Sequence, residues 1–397
     1  MPEPIPTPDL PPIFSRKWWL HWSREILPSN WREVVRWFIL AGSIWLLNLV
    51  RGPDAIPIPT PGPVIPIWEP PPEGWQPPSM EERQQTLLAL KTGRFSDTDA
   101  GQELVGEGDS PVWRLAIKGR GKPIPDRNQL QVGSCVSFGF NSAGEYTAAA
   151  QVAIGKQRQE LPDFVHEITY AGSRINADPR NPINNGDGST GSRAAKWLET
   201  VGGFVRRNKY PNDDLTEYNE ARCRKWGNAG VPDYYVMESK KHSAKCSLVS
   251  SATQAKTALA QGYAIGICSN VGFDSNKDQS GKPTRDADGF LKPAGQWGHC
   301  MAVIGYRADK PGFLILNSWG ADWVQGPKGA FDDIPNGSFW ATESIVDRML
   351  KQGDSYAVAN AAGFVRRKIA AEDWIVQVAP SRQNRLGVFY NVFARIP

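Results

Sequence analysis

The chain has 397 residues, of which 40% are hydrophobic and 22% charged, with a formal net charge of +4. That length holds one large domain or two with ample core. So small a charge, its basic and acidic residues interspersed except near the amino terminus, gives no footprint for nucleic-acid binding, and no nucleic-acid partner is expected.

Residues 1–80 are a proline- and tryptophan-rich extension holding more than half of the 33 prolines and half of the 16 tryptophans. Proline alternates with other residues from Pro2 to Pro12, which rules out helix and central strand there. Residues 53–78, including Ile56-Pro-Ile-Pro-Thr-Pro61, read as an extended polyproline-II linker of about 3.1 Å per residue. Between these tracts Trp31 to Val50 is helical in character. Its apolar part, residues 34–50, gives about 25 Å of helix, at the short limit for crossing roughly 30 Å of hydrocarbon. Arg16, Lys17, Arg24, Arg32 and Arg36 put the amino terminus in the cytoplasm and the rest outside if the segment spans. No small-residue cleavage site follows it. Three readings stay open: a single-pass or interfacial membrane anchor, a helix buried against a large assembly such as a phage particle, and a propeptide helix folded on the chain.

Residues 81–110 read as a short helix, Glu81 to Lys91, and a polar, glycine-rich linker. The chemistry follows. Gly133-Ser134 turns the backbone just before Cys135, and Val136, Phe140, Ala143, Thr147 and Ala150 then fall at helical spacing. The thiol is thereby placed in the first turn of a helix, where unpaired amides and the helix dipole favour a thiolate. Downstream, His299 lies in Trp297-Gly-His-Cys-Met-Ala-Val-Ile-Gly-Tyr306 and Asn317 in Leu314-Ile-Leu-Asn-Ser-Trp-Gly320. Singly, such residues are a small buried cysteine, a core histidine and a turn asparagine. As an ordered set they are the parts of a nucleophilic site.

At these residues the chain resembles the papain (C1) superfamily of cysteine peptidases, over about residues 110–350. Gln129, six positions before Cys135, matches that family's oxyanion-hole glutamine. Val112-Trp113-Arg114 resembles the opening of the catalytic domain. Gly186-Asp-Gly188-Ser-Thr190 resembles the glycine wall of the substrate cleft, and Arg193 to Leu198 the helix after it. Gly202-Gly-Phe204, leading to Tyr210-Pro211, resembles the turn closing the helical half. The ending, Gly337-Ser-Phe-Trp340 with Val346 to Leu350, is closest in character to bacterial and phage-encoded members. The chain departs from the family at Val132, usually a second cysteine, and at Val136, often tryptophan. The spacing from Cys135 to His299 exceeds the roughly 130–150 residues typical of the family, and the extra length is assigned to a loop from Asp274 to Pro293.

The resemblance implies an α+β, papain-like two-lobed fold: a helical lobe beginning at the Cys135 helix, a β-barrel-like lobe carrying His299 and Asn317, and a substrate cleft between. It implies Cys135 as nucleophile, His299 as its proton partner, Asn317 as the group orienting the imidazole, and Gln129 with the Cys135 N–H as oxyanion donors. Gly186, Gly188 and Trp319 would bind substrate or shield the site. A His299 imidazolium and the helix terminus would lower the thiol to roughly pKa 3–4.

The other candidates are weaker. Cys223, Cys246, Cys268 and Cys300 allow two disulfides in three connectivities, but Cys268 and Cys300 read as strand residues, where buried free thiols are common. His21, His166 and His242 sit in the amino-terminal tail, a helix-like stretch and a basic polar run. No histidine–carboxylate or paired-cysteine spacing points to zinc, so no metal or cofactor is expected. The expected organisation is an extension at 1–80, a helix and linker at 81–110, the peptidase domain at 111–353 and a strand-like extension at 354–397. The expected function is a cysteine endopeptidase acting on protein or peptide substrates, tethered to a membrane or large assembly through residues 1–80. It would be membrane-anchored with the peptidase outside the cytoplasm, or virion-associated. The alternatives are a structural component of a virion or envelope that keeps the domain for processing or for no chemistry, and thiol-dependent acyl transfer at the same site.

Overall fold

Gly133 and Ser134 start the helix around which the rest is arranged. The Ser134 carbonyl accepts the N–H groups of Ser137 (3.0 Å) and Phe138 (3.3 Å), and the helix runs from Cys135 to Gly155 with nearly all of its side chains buried. A helix that is mostly apolar all round is a buried one, and its polar side chains Asn141 and Glu145 find partners inside. The computed structural model describes residues 68–103, 108–155, 161, 163–367, 369 and 371–374. The apolar segment 31–50 and residues 375–397 of the strand-like extension lie outside them. Among the described residues no helix is long and apolar enough to cross a membrane.

In chain order the helices are α1 (Met80–Ala89), α2 (Val112–Arg120), α3 (Cys135–Gly155), α4 (His166–Ala171, extended by a π-helical turn Gly172–Asn176), α5 (Gly191–Thr200), α6 (Glu220–Ala229) and α7 (Asp233–Ser239). Then come β1 (Ala244–Leu248), α8 (Ala252–Ala260), β2 (Ile265–Val271), β3 (Gln296–Arg307), β4 (Gly312–Leu316), β5 (Ser338–Thr342), α9 (Glu343–Leu350) and β6 (Tyr356–Asn360). Helices first and an antiparallel sheet second make the fold α+β. The strand order is β1-β6-β2-β3-β4-β5. With β1 and β5 as its edges, the sheet is open, where a barrel-like lobe was expected.

Helix α3 is the layer shared by the two halves. A Cβ at Gly139 would lie 2.8 Å from both Cys300 Sγ and the Met301 carbonyl, so the helix backbone rests directly on β3. Gly119 of α2 meets the same helix more closely still, since a Cβ there would lie 1.9 Å from the Ala149 carbonyl oxygen. Buried Arg127 pairs with buried Glu145 of α3, which fixes the loop leading to Gln129.

Two expected boundaries move. Strand β6 lies beyond residue 353, yet it pairs with both β1 and β2, so the edge expected at 353/354 falls inside the sheet. Residues 68–103, expected as linker around one short helix, bury Trp75, Leu90, Phe95 and Ala100 in the common core. Ser79 caps α1 by accepting the Glu82 N–H, and Glu82 then reaches Thr190 and Arg193 of the α5 start.

Candidate active site

Strands β3 and β4 pair with Ala302 opposite Leu316, so His299 and Asn317 emerge side by side at one end of the ladder. His299 Nε2 lies 2.7 Å from Asn317 Oδ1, and the same oxygen accepts the Ser318 N–H at 2.7 Å. An oxygen already accepting requires Nε2 to donate, which leaves the Nδ1 lone pair of a neutral ring free for another proton. No described group bonds His299 Nδ1, and it is buried. The Trp319 ring lies 4.6 Å from the imidazole, centroid to centroid, and Trp297 and Trp323 pack on Trp319 in turn. The hydrogen bond is thus roofed by indoles.

Gln129 is tied to the same end of the sheet. Its N–H donates to the Ser318 carbonyl (2.8 Å) and its Oε1 accepts the Ser318 hydroxyl (2.8 Å). The amide cannot turn over without losing that bond, so Nε2 is presented as a donor towards the cleft. It bonds the Val132 carbonyl (3.0 Å) and the Pro72 carbonyl (3.1 Å). Cys135 follows at the start of α3, fully buried. Gln129, His299, Asn317 and Trp319 therefore share one end of the sheet, and Cys135 opens the helix that is seated on β3.

The chain itself fills the cleft. Residues 68–79, expected as part of a free polyproline linker, are extended but docked. The N–H groups of Gly74 and Trp75 donate to the Gly298 carbonyl (2.9 and 2.7 Å), the Ser189 N–H donates to Gly74 O (2.8 Å), and the Gln76 N–H donates to Ser189 O (2.9 Å). Trp75 pairs parallel with Ser189. Glu73 accepts the Gly298 N–H (2.9 Å), and Trp68 packs on Trp319. We call residues 68–79 the strap.

The wall expected from Gly186 and Gly188 is displaced by one residue. The carbonyls of both glycines are taken by the buried guanidinium of Arg174, so Ser189 supplies the backbone edge that faces the occupant. Gly188 still touches it, since a Cβ there would lie 2.8 Å from Gly74 O at a φ of +101°. At Gly186 a Cβ would meet nothing within 4 Å. Asp187 accepts the Gly133 N–H (2.9 Å) and so fixes the turn before Cys135.

With the strap in place the electrostatics run opposite to the expected lowering of the thiol. Burial pushes the Cys135 thiol well above its ordinary range, and Cys300 adds to that. Burial also lowers His299 to about 4, partly offset by Asn317. Removing both groups from water favours their neutral forms, thiol and imidazole.

All five cysteines are buried free thiols. Cys268 and Cys300 are direct partners across β2 and β3. His166 stacks on Phe138 and bonds Asn141 inside the helical half. Sequence reasoning missed the strap, Ser189, Ser318 and Asp354. The signals available were the Gly-Trp pair inside the proline run, and an aspartate two residues before a strand that begins with tyrosine.

The sequence matches no family model. Among solved structures the chain is similar to xylellain, a cysteine protease from Xylella fastidiosa, at 14% identity over 74% of this chain and 98% of that one, with a TM-score of 0.45. It is also similar to the digestive procathepsin L2 of Tenebrio molitor larval midgut (14% identity, 87% and 97% covered, TM-score 0.39). For procathepsin L 3 of the same organism the figures are 12%, 72% and 83%, and 0.38. Likenesses at this level carry no argument for function, which has to rest on the site.

Proposed function

We propose that the chain is a papain-like cysteine peptidase that hydrolyses peptide bonds at Cys135. The observation that carries the reading is the pairing of His299 Nε2 with Asn317 while Nδ1 is left open, beside an amide donor, Gln129 Nε2, already holding a peptide carbonyl. Once the strap leaves, water re-enters and the ionic pair is no longer disfavoured by burial. The Cys135 proton passes to His299 Nδ1, and Sγ attacks the carbonyl carbon of the substrate. The resulting oxyanion is met by Gln129 Nε2 and the Cys135 N–H, donors that gain strength as the charge develops. Collapse expels the amine, which takes the proton from His299 and leaves a thioester. Water then attacks the thioester, with His299 removing its proton, and the acid departs as the thiol reforms. Asn317 holds the imidazole orientation throughout.

Alkylation of the full-length protein tests the reading. At pH 5 an unassisted thiol near pKa 8.5 is almost wholly protonated. With the strap loosened by Trp75→Gly, iodoacetamide should modify Cys135 selectively and quickly, and adding His299→Ala should abolish that rate. Slow modification of all five thiols alike would overturn it.

The reading includes a tether through residues 31–50, to a membrane with the peptidase outside the cytoplasm or to a virion-like assembly. Its support is the apolar run between proline tracts, which has no polar face to keep it in water. Full-length protein that stays monomeric in detergent-free buffer would remove this part.

A further inference from the structure

The strap's deepest side chain ends on a buried carboxylate. Trp75 is 6% exposed and Asp354 is fully buried. Asp354 receives four donors. The Gly191 N–H (2.7 Å) and Trp75 Nε1–H (2.8 Å) meet Oδ2, while the Ser192 N–H (2.7 Å) and Ser192 hydroxyl (2.6 Å) meet Oδ1. The Tyr356 hydroxyl bonds Ser192 Oγ (3.0 Å) and holds it in place.

Two of these bonds serve the first N–H groups of α5, which need acceptors, and a third comes from the Ser192 hydroxyl on the same turn. The fourth, from Trp75, lies outside that helix. Helix α5 is also capped by Thr190, which accepts the Arg193 N–H. An apolar pocket would hold an indole by burial alone, and enclosing a carboxylate costs free energy unless its oxygens are occupied. When the strap leaves, Oδ2 keeps the Gly191 N–H and loses its remaining donor. Any side chain that refills the pocket without an N–H leaves that acceptor unfilled. The pocket also belongs to the reacting cleft: the Trp75 backbone lies between Gly298 and Ser189, and Pro72, three residues before it, is the residue whose carbonyl Gln129 holds.

Resting on the peptidase reading above, we propose that this pocket is a substrate subsite that selects peptide side chains ending in an N–H donor, with Asp354 as the selecting residue and Trp75 as its built-in occupant. It accepts tryptophan, the side chain the chain itself presents, and rejects aromatic residues of the same shape that lack the donor.

The test deletes the occupant and offers replacements. Full-length Trp75→Gly is titrated with indole and with benzothiophene, a near-isostere without the N–H, and thermal denaturation reports binding. Indole should bind at least about tenfold more tightly, as expected for a buried acceptor left unfilled by the analogue; equal binding overturns the proposal. Should Trp75→Gly not fold, full-length Trp75→Phe is given peptides that differ only in tryptophan or benzothienylalanine, scanned across the residues around the cleaved bond. At one position kcat/KM should favour tryptophan by about tenfold or more, and no preference anywhere overturns the proposal. The two readings fail separately. Indole selectivity without hydrolysis of any peptide removes the peptidase and keeps the pocket, whereas hydrolysis without discrimination does the reverse.

Discussion

Two groups of buried polar atoms share the cleft, and they are completed to different degrees. Around His299 three atoms have no described partner: His299 Nδ1, Asn317 Nδ2 and Trp319 Nε1. Around Asp354 both oxygens are filled, by four donors. Buried polar atoms are normally satisfied, because an unmet one forfeits its hydration for nothing. On the peptidase reading proposed above, the open valence at His299 is where a proton arrives and leaves. The filled valences at Asp354 are what hold a helix start and, through Trp75, the strap. One group is arranged for transfer and the other for grip.

Substitutions can break this contrast, beginning where the effect is greatest. Cys135→Ala should lower peptide hydrolysis by at least about a thousandfold, as loss of a nucleophile does elsewhere, with the circular dichroism spectrum unchanged; turnover within tenfold of the parent would remove Cys135 from the chemistry. Gln129→Ala deletes the donor now holding Pro72 O and should cost about 10²–10³ in kcat with a smaller change in KM. A loss seen only in KM would make Gln129 a contact with the strap and nothing more. Asn317→Ala should reduce kcat by about 5- to 150-fold, the range for one broken buried hydrogen bond. The alkylation rate of Cys135 at pH 5 should fall with it, since both report the imidazole orientation.

The smallest effect concerns stability. Burial raises Asp354 to about 7, above the ordinary aspartate value of about 3.9. The native state then holds this proton more tightly than the unfolded chain does. The stability it contributes is complete below about pH 4 and is lost as the pH rises to about 7. Asp354→Asn removes the titration, so the fall in Tm between pH 4.5 and pH 7.5 should be shallower than in the parent. An identical fall would mean that Asp354 is ionised throughout, held so by its four donors.

The parts of the site that could be read from sequence are those whose local motif decides their geometry. Cys135 follows a turn and opens a helix, His299 sits inside an apolar strand, and Asn317 ends one. Ser189 was missed because backbone edges carry no side-chain signature, and an offset of one residue along a loop exchanges inward and outward carbonyls. The strap was read as a linker for a sound reason: proline fixes the extended backbone that a linker and a cleft-bound strand both use. What separates the two is docking, and docking depends on Gly298 and Ser189, which lie more than a hundred residues downstream. The open sheet and the place of β6 were likewise settled by pairing between distant segments.

Gly139 has a mechanical consequence. Without a side chain there, the helix that carries Cys135 is seated on the strand that carries His299, backbone against backbone. The jaws of this molecule are one piece. Gly139→Ala would wedge them apart at a cost of about 1–3 kcal/mol. On the peptidase reading, an arriving peptide takes the berth that the strap has given up, along the same Gly298 and Ser189 edges.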